Sequence, residues 1–315
     1  MITRRSVRIK AMQYIYAYET TDASQNSLFQ GYLEKSILSV KDQYLFLLLT
    51  ISEIASFVEK DAKIKASKYL KNENDKNFNT KFLSNMLIQY LHNDAEFALE
   101  IKNASIHALI DEDNIRHLYK KLSESEAYQT YLNNGTEFNA EEDRNIVAFL
   151  LNNIILEDEV FTQNMEEHFT NWMDDAEYVV EAVHEVIFKS KSKLKLHLDK
   201  GSLKDKFKEI NQFGIDLFNE TVSNKKEHNQ LIKPKLKNWD SDRLAVVDVI
   251  LIRMALSEFL YFPSIPVKVT INEYLDIAKE YSTPKSKDFI NGVLDSMMKD
   301  LTQNGQLQKT GRGLL

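Results

Sequence analysis

Three arginines and a tyrosine near the start of the sequence are residue types that can bind an RNA strand. Arg4, Arg5 and Arg8 fall close together, and Tyr16 follows on the same predicted helix, which covers residues 1–20. At 100° per residue, Arg5, Arg8 and Tyr16 lie beside the apolar arc of this helix. Guanidinium groups pair with phosphates in bidentate geometry, and an aromatic ring can stack on an unpaired base. The pattern is typical of single-stranded RNA binding, although arginines that are merely solvated would give the same pattern.

Charge is distributed unevenly along the chain, whose formal net charge is −7. Residues 1–20 and the lysine-rich segment 189–208 are both basic, whereas residues 111–181 contain 18 acidic side chains against four basic ones. An acidic segment repels phosphate, so the RNA-binding surface is not expected there. The lysine-rich segment fits either a solvated connector or a second RNA contact.

Residues for catalysis or metal binding are sparse. Glu181 and His184 have the E-x-x-H spacing of di-metal carboxylate bundles, but such a site needs this motif from each of two helices. Neither His117 nor His168 has a glutamate at the required position, and neither a phosphate-binding glycine motif nor a cysteine occurs. We therefore predict no catalytic residues, no metal and no cofactor. The missing cysteines agree with a reducing, cytoplasmic location.

The composition predicts an all-α fold class. Eight glycines and four prolines among 315 residues are few, and apolar residues recur at spacings of three and four. A helical segment over 21–200 separates the first helix from a second helical block at 201–303, and residues 304–315 form a polar tail. No apolar stretch approaches the roughly 20 residues that cross a bilayer, so no membrane contact is expected.

The second block contains a distinctive pattern. Ile271-Asn272-Glu273 is followed by Ala278-Lys279 and then by Ser286 to Leu294, which reads S-K-D-F-I-N-G-V-L. This run resembles the C-terminal signature of the NusB transcription antitermination family. Gln13 and Tyr16 behind the arginines resemble the family's first helix, and Trp239 to Glu258 resembles its central helix. The resemblance predicts a NusB-like RNA-binding domain from residues 1–20 and 201–303, with 21–200 as a helical insertion of unknown role.

The resemblance implies a function and a set of site residues. It implies an antitermination factor that binds boxA-type nascent ribosomal RNA together with NusE, a ribosomal small-subunit protein, in the RNA polymerase antitermination complex. The implied RNA-binding residues are Arg4, Arg5, Arg8, Gln13, Tyr16, Lys285, Lys287 and Phe289. Asp248 and Arg253 are the implied partner-binding residues, although Asp248 could instead be a structural cap or pair with Arg253. Val249 and Asp288 depart from the basic residues common at these family positions.

Several readings stay open. Phe289 fits a core stripe with Val293 and Met297 as well as base stacking. Gly292 within an apolar helix suggests close approach of another backbone, and Glu273 suggests a first-turn residue that complements the helix dipole. The rival functions are an RNA-binding module related to ribosomal RNA cytosine methyltransferases, without the catalytic domain, and a helical protein–protein scaffold. A homodimer is also open. The central expectation is that both ends of the chain form one cationic surface.

Overall fold

A computed structural model describes residues 2–21, 26–67, 79–135, 139–189, 202–236 and 245–314. The regular structure in these ranges is helical and contains no strand, which confirms the predicted all-α class. Lys191, Lys193 and Lys195 of the lysine-rich segment lie outside the described residues, as does the motif from Trp239 to Leu244. Among the described helices, none combines the length and hydrophobicity that a bilayer-spanning segment requires.

The described helices are numbered in chain order. They are α1 Arg4–Thr20, α2 Asn26–Ser67, α3 Met86–Asn93, α4 Ala95–Ala104, α5 Glu112–Glu124, α6 Glu126–Asn133, α7 Ala140–Phe149, α8 Glu159–His168, α9 Trp172–Lys189, α10 Ser202–Ser223, α11 Lys225–Ile232, α12 Val246–Tyr261, α13 Val267–Tyr281 and α14 Ser286–Gln303. A π-helical stretch, Leu150–Ile155, extends α7. Short 3-10 helices occur at Lys81–Ser84, Ile106–Leu109, Lys233–Leu236 and Gly311–Leu314.

The chain divides into two compact units. The middle unit is Leu38–Asp205, and the terminal unit combines Ile2–Ile37 with Lys206–Leu315. The terminal unit thus brings α1 together with the helices near the end of the chain. Its central helix is α12, which packs against α1, α13 and α14. Because neighbours surround α12, every residue from Ile250 to Phe259 is buried, including the charged Arg253 and Glu258.

The start of α1 is fixed by a capping box. The Ser6 amide donates to the Thr3 hydroxyl at 3.1 Å, and the Thr3 amide donates to the Ser6 hydroxyl at 3.0 Å. These bonds satisfy amides that the first helical turn leaves without intrahelical partners. Arg4 and Arg5 therefore lie in the first turn. The helix dipole disfavours cations there, so nearby carboxylates are needed to offset it.

One glycine permits a close helix approach, and it is not the one suggested by the sequence. A Cβ atom added at Gly214 would lie 2.6 Å from Val7 Cγ1 and 2.8 Å from Ile37 Cδ1, so α10 meets α1 and α2 at this position. Gly292, in contrast, is exposed, and an added Cβ would have no heavy atom within 4 Å. The prediction that Gly292 marks a close backbone contact is therefore wrong within the described chain.

The middle unit contains its own aromatic and polar core. The Phe46 ring lies near those of Phe161 and Phe169, with centroids 6.1 and 5.9 Å away. Asp143 is buried and accepts hydrogen bonds from the Tyr131 hydroxyl at 2.7 Å and the Met86 amide at 2.9 Å. His184 of the E-x-x-H motif is hydrogen-bonded to an asparagine side chain. No group of three metal-ligating side chains occurs among the described residues.

Candidate functional site

The predicted arginines of α1 line an open cleft in the terminal unit. Its volume is about 650 Å³, and the opposite side is formed by the turn between α12 and α13 and by the first half of α13. The lining residues are Thr3, Arg4, Arg5, Arg8, Ser264, Ile265, Pro266, Val269 and Glu273. The fold thus places the arginines of the first helix beside the I-N-E element of the second helical block, although these segments are far apart in sequence.

Arg5 forms ion pairs with two carboxylates at the rim of this cleft. Its Nε and Nη2 each donate to a different oxygen of Glu273 at 3.0 Å, and Nη2 also donates to Asp276 at 2.9 Å. Lys279 hydrogen-bonds to Asp276 and, together with Arg5, holds the pKa of that carboxyl below its usual range. Glu273 is the seventh residue of α13, so its predicted role in the first helical turn is wrong. Glu273 instead accepts hydrogen bonds from Arg5 and Arg8.

Arg8 lies deeper and is held differently. Its side chain is 3% exposed, and its Nε and Nη2 donate to the two carboxylate oxygens of Glu258 at 2.6 and 2.9 Å. Glu258 also accepts from the Thr270 hydroxyl at 3.0 Å and the Tyr274 hydroxyl at 2.8 Å. The burial of Tyr274, followed by its proximity to Glu258, raises its pKa well above the ordinary value. Arg8 is therefore part of a buried network, and its direct contact with RNA stays a prediction.

Arg4 is the most peripheral of the three. Its Nη2 donates to Glu209 at 3.0 Å, and both side chains are substantially exposed. Its guanidinium lies 5.3 Å from the Phe213 ring centroid, and Arg8 lies at the same distance from that ring. Phe213 thus gives the guanidiniums an aromatic surface to pack on.

Carboxylates accompany each of the three arginines, so acidic and basic groups lie together at the cleft. Two exposed lysines of α13, Lys268 and Lys279, lie on the same helix as Glu273 and add positive charge. Neither lysine is among the RNA-binding residues predicted from the sequence. Their spacing on an amphipathic helix is the signal that could have identified them.

Three predicted residues form a stripe along α1. Arg5, Gln13 and Tyr16 fall within a narrow arc at 100° per residue, and all three are at least partly accessible. The Tyr16 side chain is the most open, with 42% of the residue exposed. Arg5 and Tyr16 are separated by roughly 16 Å along the helix axis. The stripe therefore continues from the rim of the cleft along α1.

The predicted residues of the C-terminal signature divide into two groups. Lys285 and Lys287 are exposed at the start of α14. Phe289 is only 3% exposed and belongs to a buried stripe with Val293 and Met297. The core alternative for Phe289 is thus the one observed, and its ring is not accessible for stacking on a base.

Asp248 and Arg253 are both buried, and they do not pair with each other. Asp248 accepts hydrogen bonds from the hydroxyls of Ser282 and Ser286, which ties the start of α12 to the turn between α13 and α14. The Arg253 guanidinium donates to both oxygens of Glu19 at 2.6 and 2.7 Å. Burial alone would raise the pKa of Glu19, but Arg253 and Lys225 together outweigh it, so that pKa is lowered. Direct partner contact by either residue stays a prediction.

Known proteins match part of this chain. A model described as NusB family matches residues 141–299. The Transcription antitermination protein NusB of Salinibacter ruber (strain DSM 13855 / M31) is 45% identical over 103 residues, which cover 33% of this chain and 64% of that protein. The namesake from Chloroherpeton thalassium (strain ATCC 35110 / GB-78) is 40% identical over 103 residues, or 33% and 49% of the two chains. That from Koribacter versatilis (strain Ellin345) is 43% identical over 98 residues, or 31% and 67%.

The matched segments cover only part of this chain and of its relatives. The chain spans 64% and 49% of the length of the first two relatives, and no solved structure matches it significantly. The family match begins within the segment predicted as an insertion and does not include α1, so the predicted domain boundaries stay a prediction. The match nevertheless covers half of the chain, and two thirds of the Koribacter relative aligns with it. The chain belongs to the NusB family.

Proposed function

We propose that this protein is a transcription antitermination factor that binds boxA-type nascent ribosomal RNA together with NusE and acts on the elongating RNA polymerase. The proposal rests on the family membership, on the names of the relatives, and on the accessible stripe of Arg5, Gln13 and Tyr16 that adjoins the arginine cleft. The function is binding without chemistry, in the cytoplasm.

The exposed arginines are suited to exchanging partners. Arg5 is 42% exposed, and its carboxylate partners Glu273 and Asp276 are 21% and 35% exposed. Ion pairs that meet water contribute little to stability, so an RNA phosphate can replace a carboxylate at modest cost. Arg4 is equally open and pairs with the more exposed Glu209. We therefore assign phosphate contacts to Arg4 and Arg5, with Lys285 and Lys287 as further contacts.

The remaining α1 residues have different roles. Tyr16 offers a ring face for base stacking, and Gln13 offers a polar group between it and Arg5. Arg8 acts as a positioning residue, because its bidentate bond to Glu258 joins α1 to α12 and its contact with Glu273, at 3.4 Å, joins α1 to α13. In this assignment Arg8 holds the helices that form the cleft, and Arg5 contacts an RNA phosphate.

Contact with NusE is assigned to the surface around the start of α12. Asp248 is buried, but Val246 beside it is 50% exposed. The serine hydroxyls bound to Asp248 hold the α13–α14 turn next to this site. Asp248 would then shape the partner surface rather than contact NusE itself.

A fluorescence titration of labelled boxA-like RNA, with and without NusE, tests the proposal. We expect Arg5→Ala and Arg4→Ala to weaken binding and to reduce the slope of log K against log salt by about 0.7 for each lost phosphate contact. We expect Tyr16→Ala to cost about 1–3 kcal/mol with little change in slope. Arg116→Ala is the matched control, because Arg116 is an exposed, carboxylate-paired arginine of the middle unit.

The outcomes separate the rival functions. A helical scaffold predicts negligible RNA binding in all samples at any salt concentration. A module related to ribosomal RNA methyltransferases predicts RNA binding that NusE does not strengthen. Equal losses for Arg116→Ala and Arg5→Ala would show that α1 has no special role in binding.

A further inference from the structure

The segment after α14 binds the C-terminal end of α12. A lysine can hydrogen-bond to the last carbonyl groups of a helix. The Lys309 Nζ donates to the backbone oxygens of Glu258 at 2.9 Å and Phe262 at 3.0 Å, and each of these oxygens also accepts a backbone amide. The positive charge also complements the negative end of the helix dipole.

The residues after Lys309 fit closely onto the turn that follows α12. The Thr310 amide donates to the Pro263 carbonyl oxygen at 3.0 Å. Gly313 is buried against the same oxygen, and an added Cβ atom would lie only 2.0 Å from it. Gly311 has a φ of 55°, a left-handed conformation that favours glycine. We call Lys309–Leu314 the C-terminal strap; its fit requires glycine, and it is more than a solvated polar tail.

The strap holds elements that shape the arginine cleft. Pro263, to which it binds, directly precedes the cleft residues Ser264, Ile265 and Pro266. Glu258, whose backbone oxygen accepts from Lys309, also provides the carboxylate that binds Arg8. The strap therefore contacts both the turn that forms one side of the cleft and the helix that anchors an arginine of the other side.

We propose that the C-terminal strap positions the arginine cleft by fixing the Phe262–Pro266 turn, which makes Lys309 a positioning residue for RNA binding. This inference rests on the proposed RNA-binding function. In this proposal Lys309 acts through the turn and not on the RNA, because two of its three N–H donors bind backbone carbonyls. Burial lowers the pKa of Lys309 to about 8, which agrees with an amine partly withdrawn from water.

Two substitutions release the strap in different ways. Lys309→Met keeps the apolar stem and removes the donors, whereas Gly313→Ala places a methyl group against the Pro263 carbonyl. Lys299→Met is the matched control, because Lys299 is an exposed lysine of α14 that pairs with Asp295. Circular dichroism establishes that each variant retains the helical content of the wild type before it is used.

The first measurement is amide hydrogen exchange in the free protein. Two backbone amides report on the Phe262–Pro266 turn. The Phe262 amide donates to the Glu258 carbonyl oxygen, and the Ile265 amide donates to the Phe262 carbonyl oxygen. We expect them to exchange about tenfold faster in both strap variants and unchanged in Lys299→Met, because loss of one or two hydrogen bonds has an effect of this order. Unchanged exchange in the strap variants would overturn the inference whether or not RNA binds.

The second measurement is RNA affinity as a function of salt, with the boxA-like RNA described above. We expect Lys309→Met to bind about threefold to tenfold more weakly with an unchanged salt slope, because it acts through geometry and not through phosphate contact. A reduced slope would show a direct phosphate contact and contradict positioning. Faster exchange with wild-type affinity would also overturn the inference. If the wild type binds no RNA, the proposed function fails, and the exchange result still reports separately whether the strap fixes the turn.

Discussion

Two buried carboxylates, Glu258 of the terminal unit and Asp143 of the middle unit, are satisfied in different ways. In the terminal unit, Glu258 is bound by the Arg8 guanidinium, a cation from a helix 250 positions away in sequence. In the middle unit, Asp143 accepts hydrogen bonds from the Tyr131 hydroxyl and a backbone amide. A buried carboxylate that has lost its cation is far more costly than one that has lost a hydroxyl. The comparison therefore predicts that loss of the partner of Glu258 destabilises the protein more than loss of a partner of Asp143.

Removal of the Arg8 side chain should produce the largest effect. We expect Arg8→Met to destabilise the protein by about 3–5 kcal/mol, because Glu258 stays buried without its cation. Urea unfolding followed by circular dichroism measures this loss. Arg116→Met, which breaks an exposed pair with Asp113, should fall within about 0.5 kcal/mol of wild type.

A second substitution distinguishes charge from packing at this site. Glu258→Gln removes the negative charge; its amide oxygen can still accept from one of the Thr270 and Tyr274 hydroxyls, and its NH2 group can donate to the oxygen of the other. The double variant Arg8→Met/Glu258→Gln should therefore recover much of the stability lost in Arg8→Met. If the double variant is as unstable as the single one, the cost arises from packing, and the proposed contrast between Glu258 and Asp143 loses its electrostatic basis.

A similarity between the units extends the comparison to α8 and α11. Five residues of the middle unit recur at constant spacing in the terminal unit. They are Leu150, Asn152, Gln163, Asn171 and Trp172, which correspond to Leu217, Asn219, Gln230, Asn238 and Trp239. At the same offset in the sequence, His228 of α11 corresponds to Phe161 of α8. Both side chains are buried.

His228 should make the terminal unit sensitive to acid. Its ring nitrogens have no hydrogen-bond partner; its burial, aided by the charge of Arg253, lowers its pKa to about 4. The unfolded chain binds this proton near pH 6.5, so stability falls as the pH decreases from about 6.5 to about 4. We expect a loss of up to about 3 kcal/mol over this range. His228→Phe should remove that part of the pH dependence in urea unfolding at pH 7 and pH 4.5.

The matched control for this prediction is His117→Phe in the middle unit. His117 is half-exposed and lies 3.0 Å from Asp158, so its replacement removes a histidine without removing a buried imidazole. A wild-type pH profile in His228→Phe would show that the acid sensitivity arises elsewhere. Equal shifts in both variants would contradict the idea that burial distinguishes the two histidines.

Loss of a neutral donor in the middle unit should have a smaller effect. Tyr131→Phe removes the hydroxyl that binds Asp143 and keeps the ring near Phe82 and Lys81. We expect destabilisation of about 1–2 kcal/mol in urea unfolding. Tyr32→Phe, at a tyrosine that is 43% exposed, should be close to neutral. A loss in Tyr131→Phe as large as that in Arg8→Met would break the comparison.

The sequence predicts the helices better than it predicts which charged side chains pair with each other. The all-α class follows from local periodicity, and the expectation that the α1 arginines lie near the second helical block follows from the family resemblance. The difference between Arg5 and Arg8 depends on Glu258 and Glu273, which are distant in sequence, so helical position alone could not reveal which guanidinium is buried. Gly214 and Gly292 illustrate the same limit. Both are glycines in helices, and only the tertiary arrangement decides which one meets a neighbouring helix.

Substitution of the exposed glycine in α14 should give the smallest effect, and it should be favourable. A Cβ atom at Gly292 would meet open space, and alanine is favoured over glycine in a helix by up to about 1 kcal/mol. We therefore expect Gly292→Ala to raise the free energy of unfolding by about 0.5–1 kcal/mol. Gly31→Ala in α2 is the matched control, because an added Cβ there also has no neighbour within 4 Å.

The two glycines separate folding from binding. If both substitutions stabilise equally and neither changes NusE or RNA affinity, the glycine of the signature has no role that this chain or its partners require. If Gly292→Ala stabilises the free protein but weakens NusE binding, while Gly31→Ala leaves binding unchanged, a partner must approach α14 where a methyl group would stand. The close contact that the sequence suggested at Gly292 would then belong to the complex, because the chain itself leaves that space empty.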